Sequence, residues 1–162
     1  MKIRMATVKD VPTIRNFIQA LADYEKLSHE MVATDADLES SLFSDNPGAE
    51  VLIAEEKDAP GQVQAVGFAL FFHNYSTFLG KRGMYLEDLF VLPEHRGKGY
   101  GKGLLKELAR IAVNRECGRL EWSVLDWNTP AIDFYKSIGA QFMHGWTVNR
   151  LTDQTLTDLA ES

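Results

Sequence analysis

Two carboxylates, Glu87 and Asp88, stand side by side in the apolar run Met84-Tyr85-Leu86-Glu87-Asp88-Leu89-Phe90-Val91. Five residues further on, a loop carries Arg96, Gly97, Gly99, Gly101 and Gly103 directly into the helix-compatible stretch Leu104–Arg110. Glycines at a helix start let the backbone approach a ligand and leave its first N–H groups pointing outward. The helix macrodipole adds partial positive charge there, so this end suits a phosphate. A diphosphate cradle beside strand carboxylates is the equipment of an enzyme that handles a phosphorylated cofactor.

Spacing excludes two common phosphate loops. The dinucleotide pattern G-x-G-x-x-G fails, because Lys102 or Leu104 stands where its last glycine belongs. A Walker loop needs a hydroxyl residue after Gly-Lys, and Gly101-Lys102 is followed by Gly103. Arg-x-x-Gly-x-Gly fits, through Arg96, Gly99 and Gly101. From Glu94 to Arg110 there are five basic residues and two acidic ones, in a chain whose net charge is −6. A basic island in an acidic protein favours a polyanionic ligand, although Lys102, Lys106 and Arg110 also have the spacing of one solvated helix face.

The elements that must position these groups follow from periodicity and turn residues. Lys2–Ala6 reads as a strand, and Val11, Ile14, Phe17, Ile18, Leu21 and Ala22 as the apolar stripe of a first helix. Thr34 or Asp35 caps a second helix reaching about Phe43, and Asp45-Asn46-Pro47-Gly48 is a turn. Strands are expected over Val51–Glu56 and Val63–Phe72, joined by Asp58-Ala59-Pro60-Gly61. A loop at Asn74-Tyr75 then leads into the strand ending near Val91. Leu120–Leu125 reads as a strand, Asn128-Thr129-Pro130 opens a helix ending at Gly139, Gln141–Leu151 is a last strand, and Thr152–Ala160 a terminal helix. The resulting order, β-α-α-β-β-β-α-β-α-β, predicts an α/β fold, a mixed central sheet with helices on both faces, in one domain spanning 1–162.

Composition narrows the function. The acidic balance argues against nucleic acid and suits a cationic substrate. No apolar stretch has the length of a membrane span, and the N-terminal Met1-Lys2-Ile3-Arg4 does not open a signal peptide. A single cysteine, Cys117, fits a reducing cytoplasm. His29 and His73 sit in or near loops, and His95 lies two residues from Gly97; no spacing suggests a metal site. Ser123 and Ser137 lack a partnered histidine, so no hydrolase triad is expected.

The loop resembles the pyrophosphate loop of the GCN5-related N-acetyltransferases (the GNAT family), and the element order resembles their acyl-CoA N-acyltransferase fold. A second segment, Asn128-Thr129-Pro130-Ala131-Ile132-Asp133-Phe134-Tyr135-Lys136-Ser137-Ile138-Gly139, resembles the family's second conserved region. Tyr24-Glu25, Tyr85-Leu86-Glu87-Asp88, Asp126-Trp127-Asn128 and Gly145-Trp146 occur in the order seen in the spermidine/spermine and thialysine acetyltransferase subgroup. The resemblance implies acetyl-CoA as donor, held by Leu89, Phe90 and Val91, by the loop residues Arg96, Gly97, Lys98, Gly99, Tyr100, Gly101 and Lys102, and by Asn128, Pro130 and Ala131. It implies Tyr135 beside the thioester sulfur, Glu87 serving the amine, Tyr24 and Glu25 lining the acceptor groove, and a homodimer. His144 is a departure, standing before Gly145-Trp146 where polyamine-acetylating relatives carry a carboxylate; it is kept among the substrate-binding candidates.

The chemistry is consistent with those residues. A primary amine has a reference pKa of about 10.4, so roughly one molecule in 2,500 is neutral at pH 7, and recovering that form costs about 4.6 kcal/mol. A phenol such as that of Tyr135 can donate to a departing thiolate. For Tyr135 the competing role is core packing with Ala131, Phe134 and Ile138, and for Glu87 a salt bridge or an edge-strand charge. Asp88 is expected on the opposite face of a regular strand and is taken as structural. The expected function is acetyl transfer to a small amine in a ternary complex; a protein or peptide N-acetyltransferase and a silent coenzyme sensor are the alternatives.

Overall fold

The computed structural model describes residues 1–57 and 61–162. The connection Asp58-Ala59-Pro60, expected as a turn, lies outside the described residues. Two compact units are present, residues 1–123 and residues 124–162.

The first unit is a five-stranded sheet in the order β1 (Lys2–Met5), β2 (Glu50–Lys57), β3 (Val63–Ser76), β4 (Lys81–Val91) and β5 (Leu120–Trp122). The first three pairings are antiparallel, and β4 with β5 is parallel. The four residues Val51, Leu52, Ile53 and Ala54 are all buried in succession. Because neighbouring side chains on a strand face opposite ways, such a run needs cover on both faces.

One face is covered by α1 (Val11–Glu25) and α2 (Asp35–Leu42). Val11, Ile14, Phe17, Leu38 and Leu42 form one core with Val51, Ile53, Phe68 and Phe90, and the rings of Phe17 and Phe68 stack with centres 5.4 Å apart. Thr34 caps α2 through Asp37 in a reciprocal pair of bonds. The other face is covered by α3 (Tyr100–Asn114), whose Leu104, Leu105, Leu108, Ile111 and Ala112 are buried. Gly103 is a packing glycine, since a Cβ there would lie 3.0 Å from the Met1 side chain and 3.1 Å from Ile3.

Two features shape the β3–β4 hairpin. Asn74 and Tyr75, expected in a loop, lie inside β3 and pair with Gly83 and Arg82 of β4. The hairpin turn is Thr77–Gly80, where Gly80 takes a left-handed conformation. Further along, Leu70 pairs with Asp88 and Phe71 with Leu86, so the ladder skips Glu87. This β-bulge breaks the regular alternation on which Asp88 was assigned to the opposite face.

The second unit contains α4 (Thr129–Ser137) and α5 (Asp153–Glu161). Asn128 caps α4, its side chain accepting from the Ala131 N–H, and Gly139 follows the helix with φ 86°. The expected last strand, Gln141–Leu151, does not form. Phe142, His144, Trp146 and Val148 have the alternation of a strand, but a strand is stabilised by a ladder and by burial of one face. Here Met143, Trp146, Val148 and Leu151 are exposed, and the segment is in none of the five strands. The strand expected over Leu120–Leu125 likewise ends at Trp122.

Candidate functional site

Between β4 and α3 the chain turns through Pro93–His95, a single turn of 3-10 helix, into the glycine loop. Gly97 and Gly99 have φ of 76° and 88°, the region that favours glycine. A Cβ at either would meet nothing within 4 Å, so both face open space. Gly99 is the N-cap of α3 and supplies no side chain to its first turn. The N–H groups of that turn, which includes Tyr100, Gly101 and Lys102, have no acceptor within the helix, so they fit an anion. The loop leaves room for close backbone approach by a negatively charged group. Gly101 is less demanding, its Cβ position being 4.0 Å from Val91.

Arg96 is fixed in three ways. Its Nε donates to the Val91 carbonyl at 3.0 Å, and its guanidinium lies 4.7 Å from the Tyr24 ring centre and 5.4 Å from that of Phe90. The expected coenzyme and acceptor residues Arg96 and Tyr24 are therefore in direct contact. Lys98 is paired with Glu56, and the Tyr100 side chain is buried, its phenol pushed up by that burial and then by Glu56. Only the backbone of Tyr100 is left for a ligand. Leu89, Phe90 and Val91 pair with Ala69, Phe68 and Gly67 on one side. The ladder to β5 stops at Leu86 paired with Trp122, immediately before the bulge.

The bulge also assembles an acidic cluster. Glu87 is exposed and Asp88 half-buried. Burial first, then the charges of Glu87 and Glu25, push the Asp88 carboxyl up to about 6. Burial also raises Glu25, which ends α1 just before Lys26 turns left-handed at φ 62°. The charges of Glu87 beside it and of Glu25 at the end of α1 thus both act on Asp88. Such a grouping suits a cation, and Asp88 suits proton transfer near neutral pH. Asp88 is a site candidate that sequence reading passed over, because the bulge depends on register with β3 and leaves no mark in the residues of β4.

In the second unit, Tyr135 is buried on α4 with its ring centre 5.4 Å from that of Phe134. Pro130 stands in the first turn of that helix, and the Ala131 N–H is taken by Asn128 Oδ1 at 3.4 Å. His144 is exposed in a turn, its ring stacked 6.4 Å from that of Phe142.

A concavity of about 510 Å³ lined by Met1, Ile3, Gly103 and Val113, among others, includes none of Arg96–Lys102, Glu25, Glu87 or Asp88. Its Arg110 is tied to Glu107, so it offers no convergent polar groups of the kind seen at the loop. Among the described residues, no three His, Cys, Asp or Glu are grouped as a metal ion would need, and no helix is long and apolar enough to cross a membrane.

Comparison with known proteins agrees with the geometry. The model of the acetyltransferase (GNAT) family matches residues 15–140. The chain is 38% identical to thialysine N-epsilon-acetyltransferase of Mus musculus, over 98% of this chain and 96% of that protein. It is 36% identical to L-ornithine N5-acetyltransferase of Arabidopsis thaliana, over 96% of this chain and 86% of that one. Among solved structures, an integron cassette protein from the mobile metagenome of V. cholerae superposes with a TM-score of 0.80 at 32% identity, covering 99% of this chain and 98% of its own.

Proposed function

Because the chain belongs to the acetyltransferase (GNAT) family, we propose that it transfers the acetyl group of acetyl-CoA to the amino group of a small amine. The observation that carries this reading is the pair of left-handed glycines, Gly97 and Gly99, facing open space at the uncapped start of α3. Backbone N–H groups of the loop and of the first turn of α3 hold the diphosphate, and Leu89–Val91 offer main-chain groups beside it. Acetyl-CoA, when bound, supplies a thioester.

The acidic cluster addresses the other reactant. Glu25, Glu87 and Asp88 attract the ammonium form of the acceptor, and Asp88, at about 6, is the member best matched to accepting its proton, directly or through water. The freed nitrogen forms its bond to the acetyl carbon as the carbon–sulfur bond breaks. Tyr135 donates a hydrogen bond to the departing sulfur, and the second proton shed by the nitrogen on becoming an amide passes through water to that thiolate. Transfer is direct, within a ternary complex. Both named relatives act, by their names, on amino acids bearing a side-chain amine, which supports an acceptor of that kind over a macromolecule. The same reading takes 1–162 as one N-acetyltransferase domain, a cytoplasmic homodimer without a nucleic-acid, membrane or metal partner. The family match running from residue 15 to 140, across both units, supports the first of these.

Calorimetry with acetyl-CoA on the unmutated protein and Gly99→Val tests the coenzyme half. A branched side chain at φ 88° strains the loop and fills the space in front of it, so Kd should rise at least about tenfold, or 1.4 kcal/mol. Unchanged affinity in a folded variant would remove the loop from the site.

A further inference from the structure

We propose that Glu56, at the far end of β2, positions the phosphate loop. This inference rests on the coenzyme reading above and adds to it a residue 39 or more positions away from the loop in sequence.

One carboxylate holds three side chains from the segment 95–100. His95 is buried, and its Nδ1 lies 2.8 Å from Glu56 Oε2; a carboxylate can only accept, so the proton sits on Nδ1. Lys98 Nζ lies 3.4 Å from Oε1. The Tyr100 hydroxyl acts on the same group, and this interaction, ahead of Lys98 and His95, holds the Glu56 carboxyl below its usual range. The His95 and Tyr100 rings meet edge to face with centres 6.2 Å apart. These three attachments bracket Gly97 and Gly99, His95 on one side, Tyr100 on the other and Lys98 between them.

The physical need for such a clamp follows from the glycines. Glycine loses more conformational freedom on ordering than any other residue, so a loop with two of them would bind a ligand at a large entropic cost. Fixing the loop to a strand of the sheet moves that cost from binding to folding, which is preorganisation. Glu56 is suited to this because β2 is a central strand, paired with β1 and β3, with Glu56 itself opposite Gln64. A negative group near a polyanion site is tolerated because Lys98 and two further donors face it. The opposite role, in which Glu56 competes with phosphate for Lys98, predicts the opposite sign for its removal.

The experiment compares the unmutated protein, Glu56→Gln and Tyr100→Phe, each confirmed as folded by circular dichroism. Glu56→Gln should raise Kd for acetyl-CoA about tenfold, as expected for weakening charge-assisted bonds, and Tyr100→Phe about threefold. At saturating acetyl-CoA and amine, kcat of Glu56→Gln should stay within about twofold, since the reacting groups are elsewhere. Acetyl-pantetheine, a donor without the diphosphate, should show the same kcat/KM with both proteins, because it never meets the loop. Unchanged or tighter acetyl-CoA binding by Glu56→Gln overturns the assignment, and so does an equal loss with acetyl-pantetheine, which marks general damage. If the unmutated protein itself fails to bind acetyl-CoA, the coenzyme reading falls and this inference falls with it. Normal binding beside an unaltered Glu56→Gln overturns Glu56 alone.

Discussion

Arg96 lies with its guanidinium 4.7 Å from the centre of the Tyr24 ring, which joins the glycine loop to the last turn of α1. The two ends of the candidate site are thereby mechanically linked, since Arg96 also holds the Val91 carbonyl. An exposed cation–π contact is worth about 0.5–1 kcal/mol. Tyr24→Ala should therefore weaken acetyl-CoA binding about two- to fivefold, although Tyr24 lies on the acceptor side. Tyr24→Phe keeps the ring and should keep the affinity. Calorimetry on the two variants checks this; an identical Kd for both excludes the coupling.

Asp88 gives a pH dependence of defined sign. Its folded carboxyl titrates at about 6, above the ordinary 3.8, because of burial and then Glu87 and Glu25. Native protein therefore holds this proton more tightly than unfolded chain. The associated stability is fully present below the ordinary carboxylate range and is lost as pH rises through about 6. Asp88→Asn should accordingly stabilise the fold at pH 7.5 by about 2–3 kcal/mol, with little gain near pH 4. The same variant should lose the rise in kcat/KM for the amine around pH 6. Thermal melts at the two pH values decide; destabilisation at pH 7.5 would assign Asp88 a structural bond instead.

Tyr135→Phe separates the leaving-group role from packing. The ring remains on α4 beside Phe134. Loss of the hydroxyl should lower kcat about 10²-fold or more with little change in Tm. A kcat within twofold of the original and a lower Tm would make Tyr135 a core residue.

His144 bears on the choice of acceptor. It sits exposed in a turn and contributes no fixed negative charge for a distal ammonium. An amino acid with a side-chain amine should be a better acceptor than spermine. His144→Glu should move the preference toward spermine by up to about fivefold, the scale of an exposed ion pair. Competition kinetics with both amines measures it; spermine preferred by the unmutated protein contradicts this role for His144.

How much of this was legible in the residues alone depended on the range of the interaction. Caps, turns and helix stripes act over a few positions, so Thr34, Asn128, Gly139 and the stripe of α1 were all readable, as was the glycine loop. Features set by pairing between distant strands were not. Asn74 and Tyr75 are polar enough to suggest a loop, yet they lie opposite Gly83 and Arg82 in a long hairpin. The bulge at Glu87, and with it the importance of Asp88, exists only in the register between β4 and β3. Gln141–Leu151 failed in the other direction, since alternating residues make a strand only where a ladder receives them. Glu56 and His95 are unremarkable in sequence and acquire meaning only when the sheet brings β2 to the loop.

Transfer of acetyl from acetyl-CoA to a small amine is read out by following thiol release with acetyl-CoA and a panel of thialysine, ornithine, lysine, spermidine, spermine and peptide N-termini. Turnover is expected with the amino acids that carry a side-chain amine, weaker turnover with the polyamines, and none above background with peptide N-termini. Tight acetyl-CoA binding without turnover of any small amine, or turnover confined to peptide N-termini, would contradict it.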